Sequence, residues 1–365
     1  MPDVIVVGAG PAGSAAAKRC VEYGLETVMV EKRKLPRDKV CSGMVMGPVA
    51  HSLIKQEFGA IPEAVLCQPS YLKGYKFHTP GIGSQNLDNF TSLTWRRNLD
   101  YWMSEKAQAS GVKIWQNARL VGLTVKERGF LAEIEKDGKR QKIEARFVIG
   151  ADGANSMVRR RLFPQLKVIH GQVFQQCYPG KIDLDTGYIH WFYPLEISPA
   201  YFSAHQKDNI VVVDVGGAPG TLKQLMVVAK DFLAKNYHFD FSQPPVWQGS
   251  CLGIVLFRPL FSRTFLPAKG NALLVGDAAG LPLPVSGEGI GTGIKSALMA
   301  ADAVIKASKS GVSADSLYLN EVKVITDMFG EILPWFKKIS AEAKSSGRYL
   351  PQILAQAYGA TLREF

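Results

Sequence analysis

Asp3-Val-Ile-Val-Val-Gly8-Ala-Gly10-Pro11-Ala12-Gly13-Ser-Ala-Ala-Ala17 leads into a second apolar run, Thr27-Val-Met-Val30, which closes on Glu31. The spacing predicts a buried strand, a glycine turn, a helix, a second strand and an acid at its end. Gly8 permits the tight turn, Gly10 lets the backbone approach a pyrophosphate, and Gly13 with Ala17 lets the helix pack close to the sheet. Phosphates would then sit on unpaired N–H groups at the helix start, around Pro11 and Ala12. Glu31 would accept hydrogen bonds from an adenosine ribose. A glycine turn alone is weak evidence. Strand context on both sides, with an acid about twenty residues on, makes this a dinucleotide site.

Composition narrows the rest. The 365 residues are 47% hydrophobic, enough for a substantial core, and the length suggests two domains. Lys and Arg exceed Asp and Glu by 43 to 32, giving +11. The basic residues gather at Lys32-Arg33-Lys34 with Arg37 and Lys39, at Arg159-Arg160-Arg161, and at Lys337-Lys338. None of these runs is long enough for a nucleic-acid arm, and most read as solvated surface charge. A cofactor pyrophosphate, an anionic substrate or peripheral contact with an anionic membrane could use the others. The five cysteines (Cys20, Cys41, Cys67, Cys177, Cys251) form no Cys-x-x-Cys pair, which argues against zinc, an iron–sulfur cluster and a disulfide framework. Strand residues start at position 3, leaving no room for a signal peptide, and no apolar run has the length of a membrane span. A reducing cytoplasm is the expected compartment.

Along the chain, Leu35 to Pro48 reads as a loop leaving the sheet, and Trp95 to Gly111 as a helix. Val112–Trp115, Leu120–Val125 and Phe130–Ile134 alternate like antiparallel strands, and Lys136-Asp-Gly-Lys139 makes a hairpin turn. Arg146–Gly150 is a further apolar strand ending in Ala151-Asp152-Gly153. Strand-like runs at Gly187–Tyr193, Ala200–His205 and Ile210–Val215 precede a helix at Leu222–Asn236. Asn271–Val275 returns as a buried strand, followed by a glycine-rich loop and a helix over Gly291–Ser308. The last fifty residues look helical.

Beyond the opening stretch, Gly276-Asp277-Ala-Ala-Gly280 ends a strand and Pro284-Val-Ser-Gly287-Glu-Gly289-Ile290-Gly291 follows it. An acid there can bond a ribityl chain, and the glycines let a helix start approach a pyrophosphate or a flavin ring. Together with Gly8–Gly13, Glu31 and Asp152-Gly153, these motifs resemble the FAD-dependent oxidoreductases of the aromatic-hydroxylase superfamily. The nearer resemblance is to its geranylgeranyl reductase family. It rests on Pro36-Arg-Asp-Lys39-Val-Cys41-Ser42-Gly43, on Arg96-Arg-Asn-Leu99-Asp100, and on His190-Trp191-Phe-Tyr193-Pro194, which is similar to the family's Tyr-x-Trp-x-Phe-Pro. Ser42 stands where that family has glycine, and Ile189 where it has tyrosine; both departures bear on the substrate more than on the flavin.

The resemblance implies an α/β fold. A Rossmann-type FAD-binding domain with a βαβ start and a central parallel sheet would use residues 1–70, 95–165 and 262–312. A mixed β-sheet substrate domain, residues 71–94 and 166–261, would be inserted into it, and residues 313–365 would form a helical tail. Further FAD contacts are expected from Lys32, Arg37, Cys41, Ser42, Arg96, Leu120 and Val121. The implied chemistry is hydride delivery from flavin N5 to a C=C bond of an apolar, isoprenoid-type lipid. Cys41, Tyr193 and His190 are the candidate catalytic residues, and Trp191 and Tyr193 the candidate substrate contacts. Cys41 lies in a basic stretch of the kind that lowers a thiol pKa. On a strand, His190 and Phe192 would share one face, and Trp191 and Tyr193 the other. His51, His78, His170 and His238 lack ligand spacing.

Two other classes compete. An oxygen-using monooxygenase or halogenase shares the flavin motifs, although only Trp191 and Pro194 fit the halogenase Trp-x-Trp-x-Ile-Pro. A non-enzymatic prenyl-binding protein would not need the intact glycines and Asp277. No second Gly-x-Gly-x-x-Gly follows a strand, so NAD(P)H, ferredoxin or a quinol all stay open as electron donor, ferredoxin being the case that makes an electron-donor protein a partner.

Overall fold

The structure is a computed structural model and describes residues 1–193, 201–218, 220–346 and 349–363. Pro194 of the aromatic motif and Ala200 at the start of an expected strand lie outside the described residues.

The chain begins with β1 (Val4–Val7), α1 (Pro11–Glu22) and β2 (Thr27–Val30). Every residue of both strands is buried, as continuous apolar runs are when helices cover both faces of a parallel sheet. Then come β3 (Met44–Met46), α2 (Gly47–Phe58), β4 (Leu66–Thr79), β5 (Gly83–Thr94), α3 (Arg96–Ala109) and β6 (Lys113–Trp115). A meander of β7 (Ala118–Lys126), β8 (Gly129–Lys136) and β9 (Lys139–Ala145) leads to β10 (Phe147–Gly150) and α4 (Met157–Leu162). The middle of the chain carries β11 (Ile169–Pro179), β12 (Tyr188–Phe192), β13 (Tyr201–Lys207), β14 (Ile210–Gly217), α5 (Leu222–Tyr237), β15 (Trp247–Val255) and α6 (Phe257–Phe261). It closes with β16 (Ala268–Lys269), β17 (Ala272–Leu274), α7 (Ile290–Ser310), α8 (Ala314–Ser346) and α9 (Pro351–Arg363).

Six strands in the order β16-β17-β10-β1-β2-β6 form the first sheet, parallel apart from β16. Eight form the second, β15-β11-β14-β13-β12-β4-β5-β3, a mixed sheet in which β12 runs parallel to β4. Three readings of the sequence need correction. Val112–Trp115 is a parallel strand of the first sheet, because the preceding α3 returns the chain as a crossover; alternation reports a strand's faces and not its direction. The loop from Leu35 ends at Gly43, since β3 pairs with β5 and Pro48 sits in the first turn of α2, where a missing N–H costs nothing. The hairpin β4–β5 starts at Leu66, so the second sheet also takes strands from segments expected in the first domain.

The layers meet around small residues. Ala15, Ala16, Ala17 and Cys20 on α1 are fully buried. On the second sheet, Phe192, Phe202, Val213 and Val215 face α5, whose Leu225, Ala229 and Leu233 complete that core. The opposite face meets α9 through Ile189, Leu354 and Tyr358.

Candidate active site

A cavity of about 1420 Å³ runs between the two sheets. At one end it is lined by the β1–α1 turn. Gly8 has φ +107°, and a Cβ there would overlap the Ala151 carbonyl; a Cβ on Gly13 would overlap the Gly8 carbonyl. Gly13 therefore does not line the cavity but lets α1 start against the turn. Gly10, Pro11 and Ala12 do line it. At Gly10 a Cβ would meet only guanidinium groups, Arg37 Nη2 at 3.8 Å and Arg96 Nη2 at 4.0 Å.

Those two cations are held by one buried acid. Asp100 accepts from Arg96 Nε at 2.7 Å and Nη2 at 2.9 Å, and from Arg37 Nη1 at 2.9 Å. Burial alone would raise the Asp100 pKa, but Arg96 and Arg37 overcome it and hold the carboxyl below its ordinary range. Glu31, also buried, accepts from Ala9 N–H and Arg33 N–H, each at 3.0 Å, and lies 3.4 Å from Arg37 Nε. Each carboxylate oxygen has a second lone pair, so capacity for a ribose hydroxyl is left. Lys32, Cys41, Ser42 and Leu120 line the same space. Val121 does not; its carbonyl accepts from Arg161 Nη2 at 3.1 Å.

The far wall of this end comes from β10 and the turn after β17. Asp152 uses Oδ2 to accept from the Met157 and Val158 amides, which caps α4. Its Oδ1 is shielded from solvent and has no partner among the described residues, and burial raises its pKa. Gly153 and Gly287 have positive φ with open space where a Cβ would be. Gly276, Asp277, Gly289 and Ile290 line the cavity beside them, whereas Pro284 does not. Glu288 caps α7 through the Gly291 and Thr292 amides at 2.6 and 3.2 Å, and burial pushes its pKa up to about 7.

The other end is walled by the second sheet. Trp191, Tyr201, Asp214, Trp247 and Tyr358 line it with Met44 and Met46. The Trp191 indole N–H is shielded and unpartnered among the described residues. Cys41 lies where the two ends meet; its Sγ accepts from Gly43 N–H at 3.4 Å, and its carbonyl accepts from Gln175 Nε2 at 3.3 Å.

Of the three catalytic candidates, the structure therefore brings only Cys41 to the cavity. His190 is corrected: it lies on the opposite face of β12 from Trp191, stacked on His78 and joined to its Nε2 at 2.9 Å. Burial lowers the pKa of both imidazoles. Tyr193 is corrected as well. It packs between Tyr201 and Tyr349 instead of on the cavity wall, and burial raises its pKa. Sequence reasoning missed Asp214, Tyr201, Gln175 and Tyr358. The signal for Asp214 was an acid inside the apolar run Ile210–Val215; the other three gave none, since their placement depends on sheet register and on α9.

These residues fit an FAD. The guanidiniums of buried Arg96 and half-buried Arg37 at Gly10 suit a pyrophosphate, the orphaned Asp152 oxygen and the half-buried Asp277 carboxylate suit hydroxyl groups, and open glycine backbone admits close approach. Comparison with known proteins agrees. Residues 3–159 match a family model described as FAD dependent oxidoreductase. The protein is an FAD-dependent oxidoreductase. The chain is similar to the digeranylgeranylglycerophospholipid reductase of Methanosarcina acetivorans, 28% identical over 86% of this chain and 78% of the relative. Among solved structures it is similar to a geranylgeranyl bacteriochlorophyll reductase-like protein from Thermoplasma acidophilum, with TM-score 0.72 and 20% identity over 89% of this chain and 83% of that one. A flavin-dependent brominase aligns with TM-score 0.73 and 15% identity over 99% and 94%. The two structural likenesses establish the fold.

Proposed function

We propose that this oxidoreductase saturates C=C bonds of an apolar, isoprenoid-type lipid. The observation that carries the reading is the size and division of the cavity. About 1420 Å³ exceeds the ~300–1,000 Å³ of a pocket for one small ligand. One end is polar and cationic, while the other is walled by Trp191, Tyr201, Tyr358, Met44 and Met46. A dinucleotide and an apolar chain can share it. The resemblance to reductases of geranylgeranyl lipids supports the same reading.

Bound FAD in its reduced form supplies a hydride from N5. Arg37 and Arg96, fixed by Asp100, would hold the pyrophosphate, and Glu31 would hold the adenosine ribose. The aromatic wall holds the alkene and keeps water away, which an unactivated alkene requires because it accepts hydride poorly. Cys41, at the junction of the two ends, sets how the substrate approaches. Peripheral membrane contact belongs to the same proposal: Phe336 is half exposed beside Lys337 and Lys338, and no described helix is long and apolar enough to cross a membrane.

The test is anaerobic. The FAD-loaded protein is reduced chemically and mixed with polyprenyl lipids while flavin reoxidation and product mass are followed. Reoxidation with a mass gain of two hydrogens is expected. Reoxidation without added hydrogen overturns the proposal, and oxygenated or halogenated product in air would favour the oxygen-using alternative.

A further inference from the structure

Saturating a double bond takes a proton as well as a hydride, and the apolar end of the cavity holds a buried acid with no ion-pair partner among the described residues. We propose, building on the reductase reading above, that Asp214 is the catalytic acid that protonates the substrate.

The geometry begins with register. Gln175, Asp214, Ser203 and Trp191 stand opposite one another on β11, β14, β13 and β12, forming one cross-strand row. Trp191 and Asp214 both line the apolar end of the cavity. Side chains alternate along β14, so Val213 and Val215 enter the core under α5 while Asp214 faces the other way. Gln175 Nε2 donates to Asp214 Oδ1 at 2.6 Å and Ser203 Oγ donates to Oδ2 at 3.3 Å. Gln175 Nε2 also reaches the Cys41 carbonyl, so the acid is tied to the loop where the two ends of the cavity meet.

An apolar wall could be built without a carboxyl, and this one is 6% exposed with no ion-pair partner among the described residues. Lys207, on the neighbouring strand, is itself buried and spends its ammonium on the Thr94 carbonyl at 2.9 Å and the Trp95 ring. The titratable groups around Asp214 are Lys207 and Tyr201 on β13, Cys177 on β11 and Cys251 on β15. Burial pushes the Asp214 pKa up to about 6, against the opposing pull of Gln175, Lys207 and Ser203. An acid tuned toward neutrality can both hold and release a proton at working pH. The other cavity acids stand at the cofactor end or cap helices there: Glu31 binds two backbone amides, Asp152 caps α4 and Glu288 caps α7.

In the step, the Asp214 O–H bond breaks and a C–H bond forms at the alkene carbon next to the one that takes the hydride. The hydride brings the two electrons that reduce the double bond. Water from the open part of the cavity then reprotonates the carboxylate.

The experiment compares FAD-loaded full-length protein with Asp214→Asn and Asp214→Glu. Circular dichroism, FAD content and chemical reduction are expected to be unchanged in Asp214→Asn. Its anaerobic reoxidation by geranylgeraniol is expected to slow by about 10²–10⁴-fold. The wild-type rate should fall as pH rises past about 6, Asp214→Asn should lose that dependence, and Asp214→Glu should recover part of it. Infrared difference spectra should contain a carboxylic-acid carbonyl band that titrates in the wild type and is missing in Asp214→Asn. An Asp214→Asn protein that turns over at the wild-type rate, or keeps the wild-type pH profile, overturns the assignment alone. A wild-type protein inactive on every polyprenyl lipid overturns the reductase reading and this assignment with it.

Discussion

Replacing Asp100 with Asn tests how the pyrophosphate cradle is built. Asp100 is 1% exposed and neutralises Arg96 and Arg37 through three hydrogen bonds of 2.7–2.9 Å. Asn keeps the shape but removes the charge, leaving two guanidiniums that cannot shed theirs. Breaking a buried pair from one side costs about 3–5 kcal/mol, which would lower Tm by on the order of 10 °C. Urea unfolding of the wild type and Asp100→Asn, with and without FAD, measures the loss. Flavin fluorescence reports FAD release, which should increase as the guanidiniums lose their anchor. The sign with pH follows from the lowered carboxyl pKa. The stabilisation is fully present above the unfolded value near ~3.9 and is lost as pH falls through the lower folded value. The gap between the two proteins should therefore be constant from pH 7 to about 5 and narrow below about 4. A loss under about 1 kcal/mol, the scale of an exposed pair, would refute this account. So would a gap that persists unchanged into acid.

Three further outcomes are expected. Gly13→Val should cost about 1–3 kcal/mol and yield colourless protein, because its Cβ would overlap the Gly8 carbonyl; a yellow, equally stable variant counts against the tight turn. Cys41→Ala should keep FAD and fold but lose roughly 10²-fold in alkene turnover through misplacement, and unchanged turnover removes Cys41 from the mechanism. The full-length protein should sediment with anionic vesicles in low salt and release when salt screens the contact over a few ångströms; binding to neutral vesicles alone contradicts the role given to Lys337 and Lys338.

Much of the cofactor end was legible in the sequence. Gly8, Gly10, Glu31, Asp152 and Asp277 are local signals, each a residue type demanded by one turn, one strand end or one helix start. Arg96 and Asp100 were quoted together, and their i, i+4 spacing on α3 is what lets them pair. The substrate end was not legible to the same degree. Alternation separated the faces of β12 correctly, yet could not say which face met the cavity, so His190 was placed with Cys41; Tyr193 was placed there too, but it follows the end of β12 and packs between Tyr201 and Tyr349.

By itself the sequence determined the βαβ start, the glycine turns and the redox cofactor, because those depend on residues close along the chain and on backbone conformations few residues allow. Tertiary structure alone decided the rest. Which acid enters the apolar chamber depends on the register of four strands far apart in sequence, and Tyr358 joins the wall only because α9 packs back on the second sheet. Those placements arise from long-range pairing and burial, and no short stretch of residues encodes them.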